Sequence, residues 1–149
     1  MSTTSLLAGV AGEYFVAAEL SRRGYIASIT LRNTKGIDIV ATNSAATRTV
    51  AIQCKTSRNE GKHWILRDKS EDFFSDAHFY VFVCLRGELE RPSYHIVPSK
   101  TVAATIKKSH GDWLKSPGRA GQAHKNTSMR KFADKDDEYL ERWDLLGLA

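Results

Sequence analysis

The stretch GIDIVATNSAATRTVAIQCK, at residues 36–55, determines which fold this sequence can adopt. Its two apolar ends predict two β-strands, Ile37 to Thr42 and Thr49 to Thr56, which a small polar turn at residues 43–47 connects. Both predicted strands nevertheless contain polar side chains among their apolar residues. Those polar positions are therefore the first candidates for a functional site.

Three polar residues of this stretch are candidates for one common site. Asp38 lies among isoleucine and valine residues of the first strand, and Gln53 and Lys55 lie in the second. Because side chains alternate between the two faces of a strand, Gln53 and Lys55 share a face and are roughly 6.6 Å apart along it, whereas Ile52 and Cys54 point the other way. A carboxylate, an amide and an ammonium group are therefore candidates for one site.

Two interpretations of these polar residues remain open at this point. A buried charge normally pairs with an opposite charge, binds a metal or changes its protonation state. A structural salt bridge between Asp38 and Lys55, with Gln53 at the sheet edge, explains the pattern as well as a functional site does. Other parts of the chain must distinguish the two.

The N-terminal part of the chain predicts a helix that starts at Thr4 or Ser5, runs to about Arg23 and stops at Gly24. A stripe of residues at helical spacing is expected to be buried; it consists of Leu6, Val10, Ala17 and Leu20. Glu13 falls on this stripe, so it is an acidic residue at a position that is expected to face the protein interior.

Two further features of the predicted helix concern its acids and its glycines. Glu19 is offset from the apolar stripe, so we expect it on the solvent side, paired with Arg23 four residues later. Gly9 and Gly12 each weaken a helix by about 1 kcal/mol relative to alanine, which suggests a close approach of a neighbouring backbone or ligand. A frayed first turn of the helix explains Gly9 equally well.

The remaining elements follow from periodicity, capping and turn residues. We predict strands at 25–31, 78–85 and 93–97 and a basic turn at 32–35. We also predict a helix at 68–75 and a second helix at 100–110, which Ser99 caps. The pattern favours a single α/β domain with its core at about residues 5–110, a basic loop at 115–131 and a C-terminal helix at 132–149.

Composition restricts the classes of function. The chain has 149 residues, enough for one domain with a real core, and a formal net charge of +5, which suits a polyanionic partner without requiring one. Two cysteines without metal-ligand spacing indicate free thiols in a reducing compartment. No apolar run has membrane-spanning length, so we predict a cytoplasmic protein without membrane contact.

Several catalytic motifs are absent from the sequence. It contains no glycine-rich phosphate loop, no His-Glu-x-x-His pair and no Cys-x-x-Cys, and its five histidines lack ligand spacing. Nucleotide hydrolysis, zinc-protease chemistry and a zinc finger therefore lack support, and no small-molecule cofactor is expected.

The order of the polar motifs resembles a known family. An inward-facing helix acid in Gly12-Glu13 precedes a Gly-x-Asp strand at residues 36–40 and a strand that ends in Gln-x-Lys at residues 52–56. This order is similar to that of the PD-(D/E)xK nuclease superfamily. The spacing between Glu13 and Gly24 resembles archaeal Holliday-junction resolvases, and Gln53 resembles the variant in Mrr-type endonucleases. The resemblance implies a restriction-endonuclease-like three-layer fold, with a central mixed β-sheet flanked by helices.

The resemblance also implies roles for individual residues. Asp38 would bind a divalent metal, Mg²⁺ with Mn²⁺ as a substitute, together with the Gln53 amide oxygen and the backbone carbonyl of Cys54. Lys55 would orient or help deprotonate the attacking water, and Glu13 would bind a second metal or a metal-bound water. Oxygen ligands of this kind suit magnesium. Glutamine at position 53 leaves two carboxylates instead of three, which weakens metal binding.

The expected activity is metal-dependent hydrolysis of phosphodiester bonds in DNA, by an endonuclease of restriction, repair or recombination type. RNA stays open as a substrate, and a homodimer is expected because such nucleases commonly pair to cut two strands. Basic residues near the site are expected to hold the nucleic-acid backbone; they are Lys35, Arg58, Lys62 and Arg67. The alternative is an inactive nucleic-acid-binding or protein-interaction module that keeps the nuclease fold.

Overall fold

A computed structural model describes residues 3–31 and 34–149 of the chain. Arg32 and Asn33 of the predicted basic turn lie outside these residues. The helices are α1 (Ser5–Arg22) and α2 (Ser99–Lys115), and the strands are β1 (Ile26–Ile29), β2 (Ile39–Thr42), β3 (Thr49–Ser57), β4 (His63–Arg67), β5 (His78–Cys84), β6 (Ser93–Pro98) and β7 (Met129–Ala133). Short 3-10 turns occur at Asp68–Glu71 and Trp143–Leu146.

Five strands form the central sheet, in the order β1-β2-β3-β5-β6. Strands β3 and β5 are parallel, whereas the other neighbours are antiparallel, so the sheet is mixed. Strand β5 is buried along its whole length, as expected for an interior strand covered on both faces. Strands β4 and β7 form a separate antiparallel pair.

Apolar residues cover both faces of the central sheet. On one face, Val16 and Leu20 of α1 pack with Ile39, Ile52 and other sheet residues, together with the C-terminal Trp143–Leu146 turn. On the other face, α2 and the β4–β7 pair pack on alternate residues of β5. The predicted three-layer arrangement, with a mixed sheet between helices, is therefore confirmed. Within the described part of the chain, no helix combines the length and apolar character that a bilayer crossing requires.

The start and end of α1 match the prediction. The side chain of Thr4 accepts a hydrogen bond from the backbone N–H of Leu7 at 3.2 Å, which caps the first turn. Gly24 follows the helix with a φ of +86°, a left-handed conformation that glycine adopts without a steric penalty.

The buried face of α1 differs from the predicted stripe. Glu19, expected on the solvent side, is only 5% exposed, whereas Leu6 is 70% exposed. Glu19 pairs with Arg23 at 3.7 Å, as predicted, but it also binds Arg91 at 3.0 Å. Arg91 in turn binds Glu141, so partners far away in the chain compensate the buried carboxylate. The local periodicity contained no information about these partners.

Gly12 permits the close approach of α1 to β3. A Cβ atom at Gly12 would lie 1.8 Å from the side-chain oxygen of Thr56, whereas a Cβ atom at Gly9 would meet nothing within 4 Å. The predicted close approach is therefore present at Gly12 and absent at Gly9. Since Glu13 follows directly, this contact also sets the height of the Glu13 backbone above β3.

The two glycines provide a matched pair of substitutions. Gly12→Ala should lower the free energy of unfolding by about 1–3 kcal/mol because of overpacking, whereas Gly9→Ala should raise it by up to about 1 kcal/mol through helix propensity. Urea denaturation of both variants measures the difference. Adding Thr56→Ala should recover part of the loss in Gly12→Ala. Equal stability of the two single variants would contradict the tight contact.

The predicted C-terminal helix at 132–149 is wrong. The segment starts within β7, where Arg130 and Phe132 are buried and their neighbours are exposed, the period-two pattern of a strand. A turn follows, because the Asp134 carboxylate accepts hydrogen bonds from the N–H groups of Glu138 and Tyr139. Strand β7 also means that the predicted basic loop at 115–131 does not extend through its last residues.

The two other predicted helices, at 100–110 and 68–75, also differ from the prediction. Helix α2 continues beyond residue 110 to Lys115, and Ser99 is its first residue instead of its cap. The hydroxyl group of Ser99 donates to the carbonyl of Ser75 and accepts from the Ser75 N–H, so it ties the preceding loop to α2. The helix expected at 68–75 is only the 3-10 turn Asp68–Glu71.

Candidate active site

Strands β2 and β3 separate at Asp38. The last paired residues are Ile39 and Ile52, and the Asp38 N–H still donates to the carbonyl of Ile52 at 2.8 Å. Beyond this point, the N–H of Cys54 donates to the Asp38 carboxylate at 2.8 Å. A side-chain oxygen thus takes the place of a backbone acceptor, which fixes the carboxylate at the point where the two strands diverge.

Two aromatic side chains, Phe73 and His78, contact the segment before Asp38. Gly36 has a φ of +72°, and a Cβ atom there would lie 2.6 Å from the ring of Phe73. The Nε2–H of His78 donates to the Gly36 carbonyl at 2.7 Å, since a carbonyl oxygen can only accept. Phe73 packs edge-on against His78 at 4.9 Å. Residues from outside β2 and β3 therefore contact and support the segment that leads to Asp38.

Gln53 and Lys55 line one cleft, as the alternation along β3 predicts, whereas Ile52 and Cys54 pack in the core on the α1 side. The cleft has a volume of about 320 Å³. Its walls come from β3, from the end of β4 and from the turn after β4; they consist of Lys35, Gly36, Gln53, Lys55, Arg67, Lys69, Ser70 and Phe73.

Burial shifts the ionisation of both charged groups at the site. Desolvation raises the pKa of Asp38, and this effect exceeds the opposing effects of the Cys54 hydrogen bond and of the Lys55 charge. Desolvation also lowers the pKa of Lys55, although the charge of Asp38 opposes it. The mutual attraction therefore does not offset the burial of the two charges.

The charges of Glu13 and Asp38 both act on Cys54. Desolvation raises the pKa of the Cys54 thiol, and the negative charges of Asp38 and Glu13 raise it further. Glu13 is half-buried on α1, directly after the Gly12 contact with β3. Both carboxylates thus act on the same residue of β3, which places the helix acid in the neighbourhood of the candidate site.

The donor chemistry at this site fits a hard divalent cation. The carboxylates, the amide oxygen and the backbone carbonyl of Cys54 are oxygen ligands, and a cation would add positive charge beside the half-buried Asp38 carboxylate. Among residues 3–31 and 34–149, no three side chains of the His, Cys, Asp or Glu type form a cluster suited to a metal. Gln53 in place of an acid accounts for that, since only Glu13 and Asp38 of the predicted ligands are acidic.

The predicted nucleic-acid contacts divide into two groups. Lys35 and Arg67 line the cleft with Lys55, and Arg58 borders an adjoining cleft that also contains Lys55. Lys62 instead binds Asp137 at 2.6 Å, in a different pocket. The structure therefore places Lys35, Arg58 and Arg67 around Lys55 and leaves Lys62 apart from the site.

Sequence reasoning missed three residues that shape the site: Lys69, Phe73 and His78. Lys69 adds a cation to the cleft, and the other two support Gly36. A histidine at the start of the most apolar strand was a visible signal, because a buried imidazole needs a specific partner. Burial lowers its pKa, in line with a neutral ring.

No family model matches the chain, and no curated protein sequence matches it either. Solved structures do match over nearly the whole length. The Holliday junction resolvase Hjc from Archaeoglobus fulgidus is 16% identical, with a TM-score of 0.52 over 95% of this chain and 97% of its own. The bacterial homing endonuclease I-Ssp6803I is 15% identical, with a TM-score of 0.56 over 99% and 94%.

These similarities define the class of fold. Both neighbours are restriction-endonuclease-like nucleases of the PD-(D/E)xK type, so this chain has the restriction-endonuclease-like fold. The resemblance that the Gly-x-Asp and Gln-x-Lys motifs indicated is confirmed at the level of the fold.

Proposed function

We propose that this chain is a divalent-metal-dependent nuclease that hydrolyses phosphodiester bonds in DNA as an endonuclease. The observation that carries the proposal is the position of Asp38, whose carboxylate is held by the Cys54 N–H where β2 and β3 diverge, beside Lys55 and a basic cleft. The neighbouring folds support it, since one is a Holliday junction resolvase and the other a homing endonuclease.

The residues of the site have distinct tasks in this proposal. Asp38, Gln53 and the Cys54 carbonyl hold Mg²⁺, or Mn²⁺ in its place, and Glu13 holds a second ion or a water. When bound, the metal supplies Lewis-acid stabilisation of the phosphoryl oxygens and lowers the pKa of a coordinated water. Lys55 orients the attacking water or accepts its proton.

The basic residues around the cleft position the substrate. Lys35, Arg67 and Lys69 on the cleft wall neutralise phosphates next to the bond that is cut. One such site cuts one strand. A homodimer that places two sites on the two strands is therefore part of the proposal for a double-stranded substrate.

Incubation of the wild-type protein with labelled substrates tests the function. Supercoiled, linear duplex, four-way-branched and single-stranded DNA, with an RNA duplex, should be compared in 10-fold steps of Mg²⁺ or Mn²⁺ and in EDTA. We expect cleavage of at least one DNA substrate that requires the metal. No cleavage of any substrate, with either metal, would overturn the proposal.

Gln53 supports one specific alternative. Because a neutral amide stands where the family pattern has an acid, the metal site carries one negative charge fewer and binds a cation more weakly. A chain that binds DNA in a salt-dependent way but never cleaves it would be an inactive member of the fold. Gln53→Glu should then create or strengthen metal-dependent cleavage.

A further inference from the structure

The net charge of the protein is concentrated in one segment. Residues 105–131 contain seven basic residues and one acidic residue, a net charge of +6, whereas the whole chain has a net charge of +5. Two of these basic residues are engaged, because Arg130 binds Glu71 and Lys108 binds Asp112. The segment therefore attracts a polyanion independently of the basic residues in the cleft.

An aromatic stack lies in the middle of this basic segment. The rings of Trp113 and His124 stack at 4.0 Å with an interplanar angle of 22°, and the ring of His110 stacks on Trp113 at 5.6 Å and 25°. We call these three rings the Trp113 platform. Trp113 is 40% exposed, whereas Trp64 and Trp143 are 3% and 4% exposed.

The platform is held in place by hydrogen bonds around it. The Nε2–H of His110 donates to the side-chain oxygen of Asn126 at 2.8 Å, which ties α2 to the following loop. The loop is closed by a bridge between Pro117 and Ala123. Because the rings are already ordered, a ligand that stacks on them loses little affinity to ordering of the protein.

A continuous surface connects the platform to the candidate active site. Trp113, Met129, Lys131 and Ile65 line a groove of about 220 Å³, and Ile65 lies on the outer face of β4 opposite Lys131 in β7. Ile65 also borders the adjoining cleft, which Arg58 and Lys55 line. A strand of nucleic acid that lies along β4 would therefore reach from the Trp113 platform to Lys55.

We propose that the Trp113 platform binds unpaired nucleotides of DNA by adding a base to its stack of rings, with the surrounding lysines on the phosphates. Every base has a flat aromatic face, so such binding tolerates any sequence. Paired bases within a duplex do not expose their faces, which makes the surface selective for single-stranded segments. The path to Lys55 rests on the proposed nuclease function, whereas binding at the platform does not.

Binding of short labelled oligonucleotides in EDTA tests this proposal without any cleavage. The wild-type protein should bind a 12-nucleotide oligothymidine more tightly than a 12-residue abasic strand of equal charge or a 12-base-pair duplex. Trp113→Ala should weaken oligothymidine binding about 5- to 150-fold and leave abasic-strand binding unchanged. Trp113→Phe should retain most of the affinity.

Tyr14→Ala on α1 is the matched control, since Tyr14 is also an exposed aromatic residue, and it should change nothing. Oligothymidine should also quench the tryptophan fluorescence of the wild-type protein, because Trp113 is its exposed tryptophan. Equal wild-type affinity for the oligothymidine and the abasic strand would overturn the proposal, as would a parallel loss of both in Trp113→Ala. Absence of cleavage in magnesium would refute only the nuclease function.

Discussion

Replacing Asp38 by asparagine should reduce metal-dependent DNA cleavage by at least about 10³-fold, since it removes the carboxylate that the proposed metal site depends on. Asparagine retains an oxygen that can accept the hydrogen bond from the Cys54 N–H, so the divergence of β2 and β3 should persist. Rates on the best substrate of the wild-type protein, at saturating Mg²⁺, measure the effect.

The same substitution should stabilise the metal-free protein at neutral pH. Burial raises the pKa of Asp38, so the ionised carboxylate lowers the stability of the folded state as the pH rises from the unfolded-state pKa, about 3.9, through the raised folded-state pKa. Below about pH 3, where the carboxyl group is mostly protonated in both the folded and unfolded states, the two proteins should have nearly equal stability. Urea denaturation in EDTA at pH 7 and at about pH 3 tests this sign.

Addition of Mg²⁺ should raise the thermal midpoint of the wild-type protein and leave that of Asp38→Asn unchanged, because only a ligand that binds the folded state stabilises it. Asp136→Asn, an exposed acid outside the site, serves as the control and should behave as the wild-type protein. Full cleavage by Asp38→Asn, or equal magnesium stabilisation of both proteins, would contradict the proposed site.

Replacing Lys55 by methionine should lower the cleavage rate by about 10²- to 10⁴-fold, the usual contribution of a general base. Burial lowers the pKa of Lys55 below that of an ordinary lysine. The neutral amine, which can accept a proton, is therefore available at a lower pH than usual. The wild-type rate should rise with pH as this neutral fraction grows.

Lys55→Arg separates proton transfer from charge. Arginine keeps the positive charge in the cleft but stays protonated at every working pH. Its rate should be low and less dependent on pH, while DNA binding in EDTA stays near that of the wild-type protein. Lys69→Met, which removes another cation of the same cleft, should weaken binding and move the pH profile to higher pH, because the charge of Lys69 helps to lower the pKa of Lys55. A wild-type pH profile in Lys55→Arg would exclude Lys55 as the base.

The elements that local patterns specify could be predicted from the sequence. Thr4 and Gly24 mark the ends of α1, and the alternation along β3 places Gln53 and Lys55 in one cleft. These features depend on residues a few positions apart, where capping and pleat geometry are enough. The order of the motifs also indicated the fold class correctly.

Features that depend on distant partners could not be predicted in this way. Glu19 is buried because Arg91, 72 residues later in the chain, binds it. His78 supports Gly36 across 42 residues, and no spacing rule connects the two. The prediction of a C-terminal helix was wrong for a similar reason. The buried His95 imidazole binds Asp134 at 2.7 Å and fixes a turn there.

The pairing of β4 with β7 makes the candidate site depend on the late part of the chain. Arg67, on the wall of the cleft, lies opposite Met129 in this pair, and Ile65 lies opposite Lys131. During synthesis, β4 leaves the ribosome more than sixty residues before its partner. The basic wall of the cleft is therefore completed only after β7 has been made, and a nascent chain that already contains Asp38 and Lys55 still lacks the finished site.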